Sequence, residues 1–368
     1  MKLALVTGGG VDRSGEYAVI PVLLALIERL SRAHEVHVFA LTQEAVAGSW
    51  KLAGATIHNV GRGRTIVRGI AAIRAEHQCA PFDLVHAVFS GPCGLIAVAA
   101  AKLLRLPSVV HYTGGELVAL RDIGYGGQLN WKGRLSERLT LRGADIVTAT
   151  SAPIIDELRA FGVQARRVPL GVDLRKWPTR APCPRHDGPA RLIHVASLNR
   201  VKDQLTLLHA LARLAKTGVE FGMDIVGEDT LQGEMQELLR QLDLGGRVRF
   251  LGFKTQRELR PVMESADVLV MSSRHEAGPA VMLEAAVAGV PTVGTAVGHI
   301  VEWAPSAALA VPVGNPERLA DAIHTLLADE DLRLRVARAA QCRALSEDAD
   351  YTARAFEALY LRLAMPAS

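Results

Sequence analysis

The sequence predicts an α/β fold of two doubly wound, Rossmann-like domains facing each other across a ligand cleft. Short β-type apolar runs alternate with helical runs along nearly the whole chain, the pattern of parallel sheets covered by helices. The length, 368 residues, suits two such domains. Near the middle, residues 175–190 (RKWPTRAPCPRHDGPA) carry four prolines and few apolar side chains, which marks a linker. The expected division is 1–174, a linker 175–190, 191–345 and a terminal helical segment 346–368.

Composition sets the class. Hydrophobic residues make up 49% and charged residues 22%, as in soluble globular proteins. The net charge of +4 is too modest for a nucleic-acid coat, so no nucleic-acid partner is expected. Cys79, Cys93, Cys183 and Cys342 have no paired spacing, which argues against a disulfide framework or a metal site and fits a reducing compartment. Leu3–Val6 is too short for a leader, and Tyr17–Ile27 and Gly91–Ala101 are too short to span a bilayer. The expected location is cytoplasmic.

The first half opens with a buried strand, Leu3–Thr7, running into Gly8-Gly9-Gly10 and then a helix from about Glu16 to Ala33. A dinucleotide fingerprint would need Gly where Arg13 stands, and a P-loop would need Lys where Glu16 stands. What remains is a flexible backbone loop at a strand end, with Gly10 as a candidate ligand contact. A second strand begins at His34. Residues 60–76 place Arg62, Arg64, Arg68 and Arg74 beside Ile66, Val67, Ile70 and Ile73, a basic amphipathic helix able to lie on an anionic membrane surface. Asp83–His86 is a strand, Gly91–Leu104 a helix and Pro107–His111 a strand ending beside Gly114-Gly115. His111 at that strand end and Glu116 just after it are candidate site residues. Arg121–Gly133 is Gly-rich, has no regular pattern and suits a lid. A further strand, Ala144–Ser151, leads into a helix start.

After the linker the alternation resumes: strand Arg191–Ser197, helix Gln204–Thr217, strand Phe221–Val226, helix 231–241 and strand Val248–Leu251. Lys202 stands at a helix start, where a charge-assisted bond to a phosphate is worth about 1.5–3 kcal/mol. The most informative stretch is 267–298: strand Val268–Met271, loop Ser272–Pro279, helix Ala280–Ala288 stopped by Gly289, and strand Thr292–Gly294. Ligands of such folds sit outside the carboxyl ends of the strands, where this loop lies. Gly278 admits close approach and Pro279 suits the first helical turn. The amides of Ala280, Val281 and Met282 make a seat for a phosphate. Glu276 and Glu284 frame that seat. A carboxylate repels a phosphate, so both are better placed to accept hydrogen bonds from hydroxyls on either side of it, as a sugar nucleotide offers.

The run EAGPAVMLEAAVAGVP (Glu276–Pro291) resembles the donor-site motif of retaining family-4 glycosyltransferases of the GT-B fold, the glycosyl transferases group 1. Val168–Asp173 is similar to that family's domain-crossing turn, with Leu170 in place of the usual Asn. The resemblance implies a retaining, metal-independent hexosyl transfer from a nucleotide-sugar donor to a glycan, lipid-linked or small-molecule acceptor hydroxyl, with no cofactor beyond that substrate. It implies that Glu276 contacts the donor sugar and Glu284 the ribose, that Lys202 lies on the diphosphate, that His111 is near the donor sugar, and that the Gly10 loop faces the phosphates; Glu116 is then the candidate for the acceptor, with Arg121–Gly133 as an acceptor lid. The turn at Phe253 corresponds to a nucleobase contact, and the last helix would cross back to the first domain. The family's Arg five residues before the Lys is Ser197 here, with Arg200 a candidate substitute; Ala277-Gly278 also departs from the family pattern. A sugar-nucleotide epimerase on the same fold and a non-catalytic nucleotide-sugar-binding protein are the alternatives.

Overall fold

Apolar, β-branched runs assemble two separate sheets in the computed structural model, which describes residues 1–364. The chain divides into two compact units: Met1–Asp173 together with the segment from Glu347, and Leu174–Ser346.

In the first unit the strands are β1 (Lys2–Thr7), β2 (Glu35–Ala40), β3 (Gly48–Leu52), β4 (Ala55–Asn59), β5 (Leu84–Ala87), β6 (Ser108–Tyr112), β7 (Ile146–Ala149) and β8 (Arg166–Arg167). Their order is β3-β4-β2-β1-β5-β6-β7-β8, parallel except for β3 against β4. The helices are α1 (Pro21–Leu30), α2 (Thr65–Cys79), α3 (Pro92–Leu104), α4 (Trp131–Gly143) and α5 (Ala152–Ala160). Every residue of β1 is buried, as a central parallel strand requires.

Three features of this unit depart from the expectations. Helix α1 starts at Pro21, later than Glu16, because proline has no N–H to donate and takes the first helical position; Gly10 and Val11 instead bridge to Val19 across the intervening loop. The β3–β4 hairpin was not anticipated: GSWKL and ATIHN are short and mixed, and they pair only because β4 has β2 on its other edge. Residues 131–143, taken partly as lid, form α4.

The second unit carries β9 (Ala190–Val195), β10 (Phe221–Val226), β11 (Val248–Gly252), β12 (Val268–Met271), β13 (Thr292–Thr295) and β14 (Leu309–Val311). The order β11-β10-β9-β12-β13-β14 is wholly parallel. Around it lie α6 (Gln204–Lys216), α7 (Glu234–Gln241), α8 (Gln256–Glu264), α9 (Ala280–Val287), α10 (Gly298–Trp303), α11 (Pro316–Ala328) and α12 (Glu330–Ser346). Leu207, Leu211 and Leu214 of α6 and Ile323 of α11 pack on Val268 and Val270 as one core. The proline-rich segment is docked on this unit: Trp177 is buried, Arg180 N–H donates to Val287 O at 2.9 Å and Arg185 N–H to Glu330 Oε1 at 3.0 Å.

The last helix, α13 (Ala349–Ala364), belongs to the first unit. Phe356 and Tyr360 enter that unit's core, and Tyr360 Oη lies 2.7 Å from His86 Nδ1. Thr352 Oγ1 donates to Pro169 O at 2.7 Å and accepts from Gly171 N–H at 2.9 Å.

Candidate active site

Strand order locates the site. The sheet of the second unit runs third-second-first-fourth-fifth-sixth, so the chain reverses direction of winding between β9 and β12. The crevice outside the carboxyl ends of those two strands is where open α/β sheets bind ligands. The two loops leaving them, 196–203 and 272–279, carry Lys202 and Glu276.

The loops are built onto each other. Ser272 Oγ donates to Lys202 O at 2.8 Å, and Arg274 N–H donates to Val201 O at 2.7 Å. Lys202 N–H is held by Asn199 Oδ1 at 3.0 Å. Beneath them His194 of β9 lies 2.9 Å from Val270 O through Nδ1 and 3.1 Å from Gln204 Nε2 through Nε2. Burial holds His194 neutral, its pKa lowered to about 4. Its Nδ1–H therefore ties β9 to β12, and Gln204 continues the link by donating to Ser197 O at 3.2 Å.

Lys202 Nζ donates to Glu276 Oε1 at 2.5 Å, and Ser273 Oγ donates to the same oxygen at 2.6 Å. Glu276 is nearly buried while Lys202 keeps about a quarter of its side chain exposed. Gly298, at φ +49°, makes room for this loop: a Cβ there would stand 2.8 Å from Glu276 O and 2.7 Å from Ala277 O. Thr295 Oγ1 adds a bond of 2.5 Å to Ser273 O.

Next along the chain, Pro279 is the N-cap of α9, with extended ψ of 116°, and Ala280 is the first helical residue, as expected. No side chain caps this helix; Met282 N–H turns back to Pro279 O at 3.1 Å, so the start of the helix is headed by the amides of Ala280 and Val281. Gly278 precedes them in the loop. Glu284, within α9, is buried and accepts from Gln256 Nε2 at 2.8 Å. Desolvation raises its pKa to about 7.

Other sequence-derived candidates fall differently. Arg200 makes a two-pronged ion pair with Glu234 at the start of α7, 2.7 and 2.6 Å, with both side chains exposed. Phe253 follows β11 and is exposed. In the first unit His111 is fully buried inside β6, with Nδ1 2.9 Å from Thr148 Oγ1 and Nε2 3.0 Å from Thr150 Oγ1. Burial lowers its pKa to about 3, and both ring nitrogens are occupied, so the imidazole has no nitrogen left for the sugar contact expected of it. The amides of Gly10 and Val11 donate to Gln43 Oε1 at 2.7 and 3.0 Å, which occupies the N–H groups expected to face a phosphate.

Glu116 follows β6 and accepts from Gly114 N–H at 2.8 Å and Ser90 N–H at 3.2 Å. Beside it stands Glu137 of α4, which the sequence reading passed over. Glu137 is buried and accepts from Gly91 N–H (2.7 Å), Ser90 Oγ (2.8 Å) and Tyr112 Oη (2.8 Å). Burial, with Glu137 as like-charged neighbour, raises the Glu116 pKa to about 7. The signal for Glu137 was a lone acid in a basic run; for Gly298 it was a glycine one turn beyond a strand end.

Among the described residues one group has metal-ligand character: His37, His58 and Glu76, whose ligand atoms lie within 4.8 Å of one another. His37 Nδ1 and His58 Nε2 are 2.8 Å apart, and Lys2 Nζ lies 2.6 Å from Glu76 Oε1. Protons and an ammonium thus satisfy the cluster.

The glycosyl transferases group 1 model matches residues 176–343, and the glycosyltransferase family 4 model matches 21–176. Glycogen synthase of Mycobacterium tuberculosis is 29% identical over 88% of this chain and 76% of its own length. EpsF of Bacillus subtilis is 30% identical over 62% of this chain, and the match spans 61% of EpsF. Among solved structures, sucrose-phosphate synthase from Thermosynechococcus elongatus superposes with a TM-score of 0.81 at 20% identity, covering 98% of each chain. Anabaena HepE, solved in complex with UDP and glucose, gives 0.74 at 18% identity over 98% of this chain and 99% of its own. With two doubly wound parallel-sheet units and both halves matched, the chain belongs to the group 1 glycosyltransferases of the GT-B fold.

Proposed function

We propose that this protein transfers a sugar from a nucleoside-diphosphate sugar to an acceptor hydroxyl with retention of anomeric configuration. The observation that carries the proposal is the Lys202–Glu276 pair at the β9/β12 switch point, beside the side-chain-uncapped start of α9. In the free protein the ammonium and carboxylate neutralise each other at 2.5 Å. A diphosphate brings more negative charge than Glu276 offers, so it draws Lys202 toward itself and leaves Glu276 to accept hydrogen bonds from the sugar. The amides of Ala280 and Val281 add positive potential at the same place. Glu284 receives the ribose hydroxyls.

In the transfer step the acceptor oxygen bonds to the anomeric carbon as the bond from that carbon to the phosphate oxygen breaks. The leaving diphosphate takes the acceptor proton on the same face. Lys202 and the α9 start stabilise the charge that develops on the diphosphate, and Glu276 aligns the sugar. Glu116 lies among the carboxyl-end loops of the first unit and is assigned to the acceptor hydroxyl. Arg200 would serve the diphosphate only after leaving Glu234.

HepE, the neighbour solved with UDP, makes UDP and UDP-glucose the first ligands to titrate, followed by the GDP, ADP and dTDP series. A ligand at 100 times its dissociation constant adds about 2.7 kcal/mol of stability. Product NMR with the bound donor and a panel of acceptors then reads the anomeric configuration. Donor binding with an α product from an α donor supports the proposal. An inverted product overturns retention. Binding with hydrolysis or isomerisation alone assigns the site to other sugar-nucleotide chemistry, and binding by none of the nucleotides removes the donor assignment.

A further inference from the structure

Helix α4 is inside out. Its buried residues are Glu137 and Thr140, both polar. Three of its four large apolar residues face solvent, Trp131 at 63% exposed, Leu135 at 46% and Leu139 at 48%, while Leu141 is half-buried. The three exposed ones recur at i, i+4 and i+8, which places them in one stripe along a helix. Lys132, Arg134, Arg138 and Arg142 share the exposed arc, and the helix's single acid, Glu137, points inward. The outer face is therefore apolar and cationic at once, with no carboxylate of its own to balance it.

This orientation is held by polar bonds that the inner face makes. Glu137 grips Ser90, Gly91 and Tyr112, and the side chain of Asn130 caps the helix by accepting from Gly133 N–H at 2.9 Å. Rolling the helix to bury its leucines would bring Arg138 and Arg142 toward the core and free a carboxylate from three donors, so the face stays outward. Solvated leucines and an exposed Trp at this spacing need a cover.

We propose that α4 is a docking surface for an anionic lipid bilayer, lying in the interface plane with Trp131, Leu135 and Leu139 inserted among the acyl-chain ends. Charge complementarity selects this occupant: a bilayer accommodates cations interleaved with apolar groups because Lys and Arg stems bury while their heads stay at the phosphates. Each such cation raises partitioning to an anionic surface by about five-fold. No helix among the described residues is long and apolar enough to cross a membrane, so the contact is peripheral. The sequence pattern assigned membrane contact to α2. That helix lies on the far side of α3 from α4 and exposes only Ile66 and Val67 among its large apolar residues. The inserting stripe is on α4 instead. This inference does not rest on the donor-site proposal, since lipid binding is read without any sugar nucleotide.

The experiment is flotation of the full chain with vesicles of phosphatidylcholine alone or with about 25% phosphatidylglycerol. Trp131 emission is followed in parallel as the difference between the wild type and Trp131→Phe, since Trp177 and Trp303 are buried and Trp50 is half-buried. The proposal expects flotation with the anionic vesicles only, release by high salt, and a blue shift that Trp131→Phe abolishes. Leu135→Gln with Leu139→Gln should reduce the bound fraction about ten-fold or more. Arg138→Gln with Arg142→Gln should reduce it about 25-fold. All four positions are exposed, and circular dichroism checks that the variants are folded. Failure to float with either vesicle overturns the proposal, as does flotation that both double variants leave unchanged. Self-association that the leucine variant abolishes, without lipid binding, assigns the face to a second copy of the chain and also overturns it.

Discussion

At the residue scale the proposed donor site rests on two carboxylates and one ammonium, and their environments differ. Lys202→Ala removes a charge-assisted contact worth about 1.5–3 kcal/mol, so transfer should fall about ten- to a hundred-fold in kcat/KM with little change in Tm. Glu276→Ala should lose activity likewise. The double variant should lose less than the product of the two single losses, since the residues touch. A steady-state double-mutant cycle checks this. Glu284 makes a pH prediction. Its pKa is raised from 4.5 to about 7 by burial, so the native state holds this proton more tightly than the unfolded chain. The group therefore opposes folding increasingly as pH rises from about 4.5 to 7. Glu284→Gln should flatten that fall in stability in thermal melts across the range. Under the proposed assignment ribose hydroxyls donate to the ionised form, so nucleotide affinity should weaken as pH drops below about 7 in the wild type and stay level in Glu284→Gln, read by calorimetry.

At the scale of elements, the loop 272–279 depends on what lies behind it. Gly298 opens α10 at φ +49°, with the carbonyls of Glu276 and Ala277 where its Cβ would be. Gly298→Ala should push that loop away from Lys202, costing about 1–3 kcal/mol of stability and weakening nucleotide binding more than a surface Gly→Ala does. Paired denaturation and titration measurements on Gly298→Ala and Gly245→Ala, the latter with open space around it, provide the comparison. Helix α4 shows why a local pattern can mislead: its apolar spacing is helical, yet the face that packs inward is the one with Glu137 and Thr140. A lid and a helix cannot be told apart when amphipathicity points the wrong way.

Across the whole chain, α13 returns to the first unit by polar bonds as well as apolar ones. Arg29 of α1 is buried and pairs with Asp173 at 3.0 Å and with Asp350 of α13. Arg29→Ala would leave the buried Asp173 carboxylate without its guanidinium, a loss of about 3–5 kcal/mol for a buried pair. Urea unfolding should show it as a lower midpoint, and α13 amides should exchange faster. At Gly171 a Cβ would stand 2.2 Å from the Glu347 carbonyl oxygen and the Asp348 backbone, so this crossing tolerates no side chain.

The α/β alternation, the two-domain length and the Glu276–Pro291 run were legible because each is written in local periodicity or in a contiguous motif. The placement of Lys202 and Glu276 in the loops after β9 and β12, and of Ala280 at the start of α9, was legible for the same reason: strand ends and helix starts can be placed from short-range pattern. Tertiary structure decided the rest, because it settles which polar groups are already occupied. Thr148 of β7 and Thr150 just beyond it close both nitrogens of His111, Gln43 takes the amides of Gly10 and Val11, and Glu234 holds Arg200. None of those partners lies near its target in sequence. Burial follows the same logic: the raised pKa of Glu284 and the outward leucines of α4 depend on which side of an element meets the core, and a helix packs against whatever its neighbours present rather than where its own apolar stripe points.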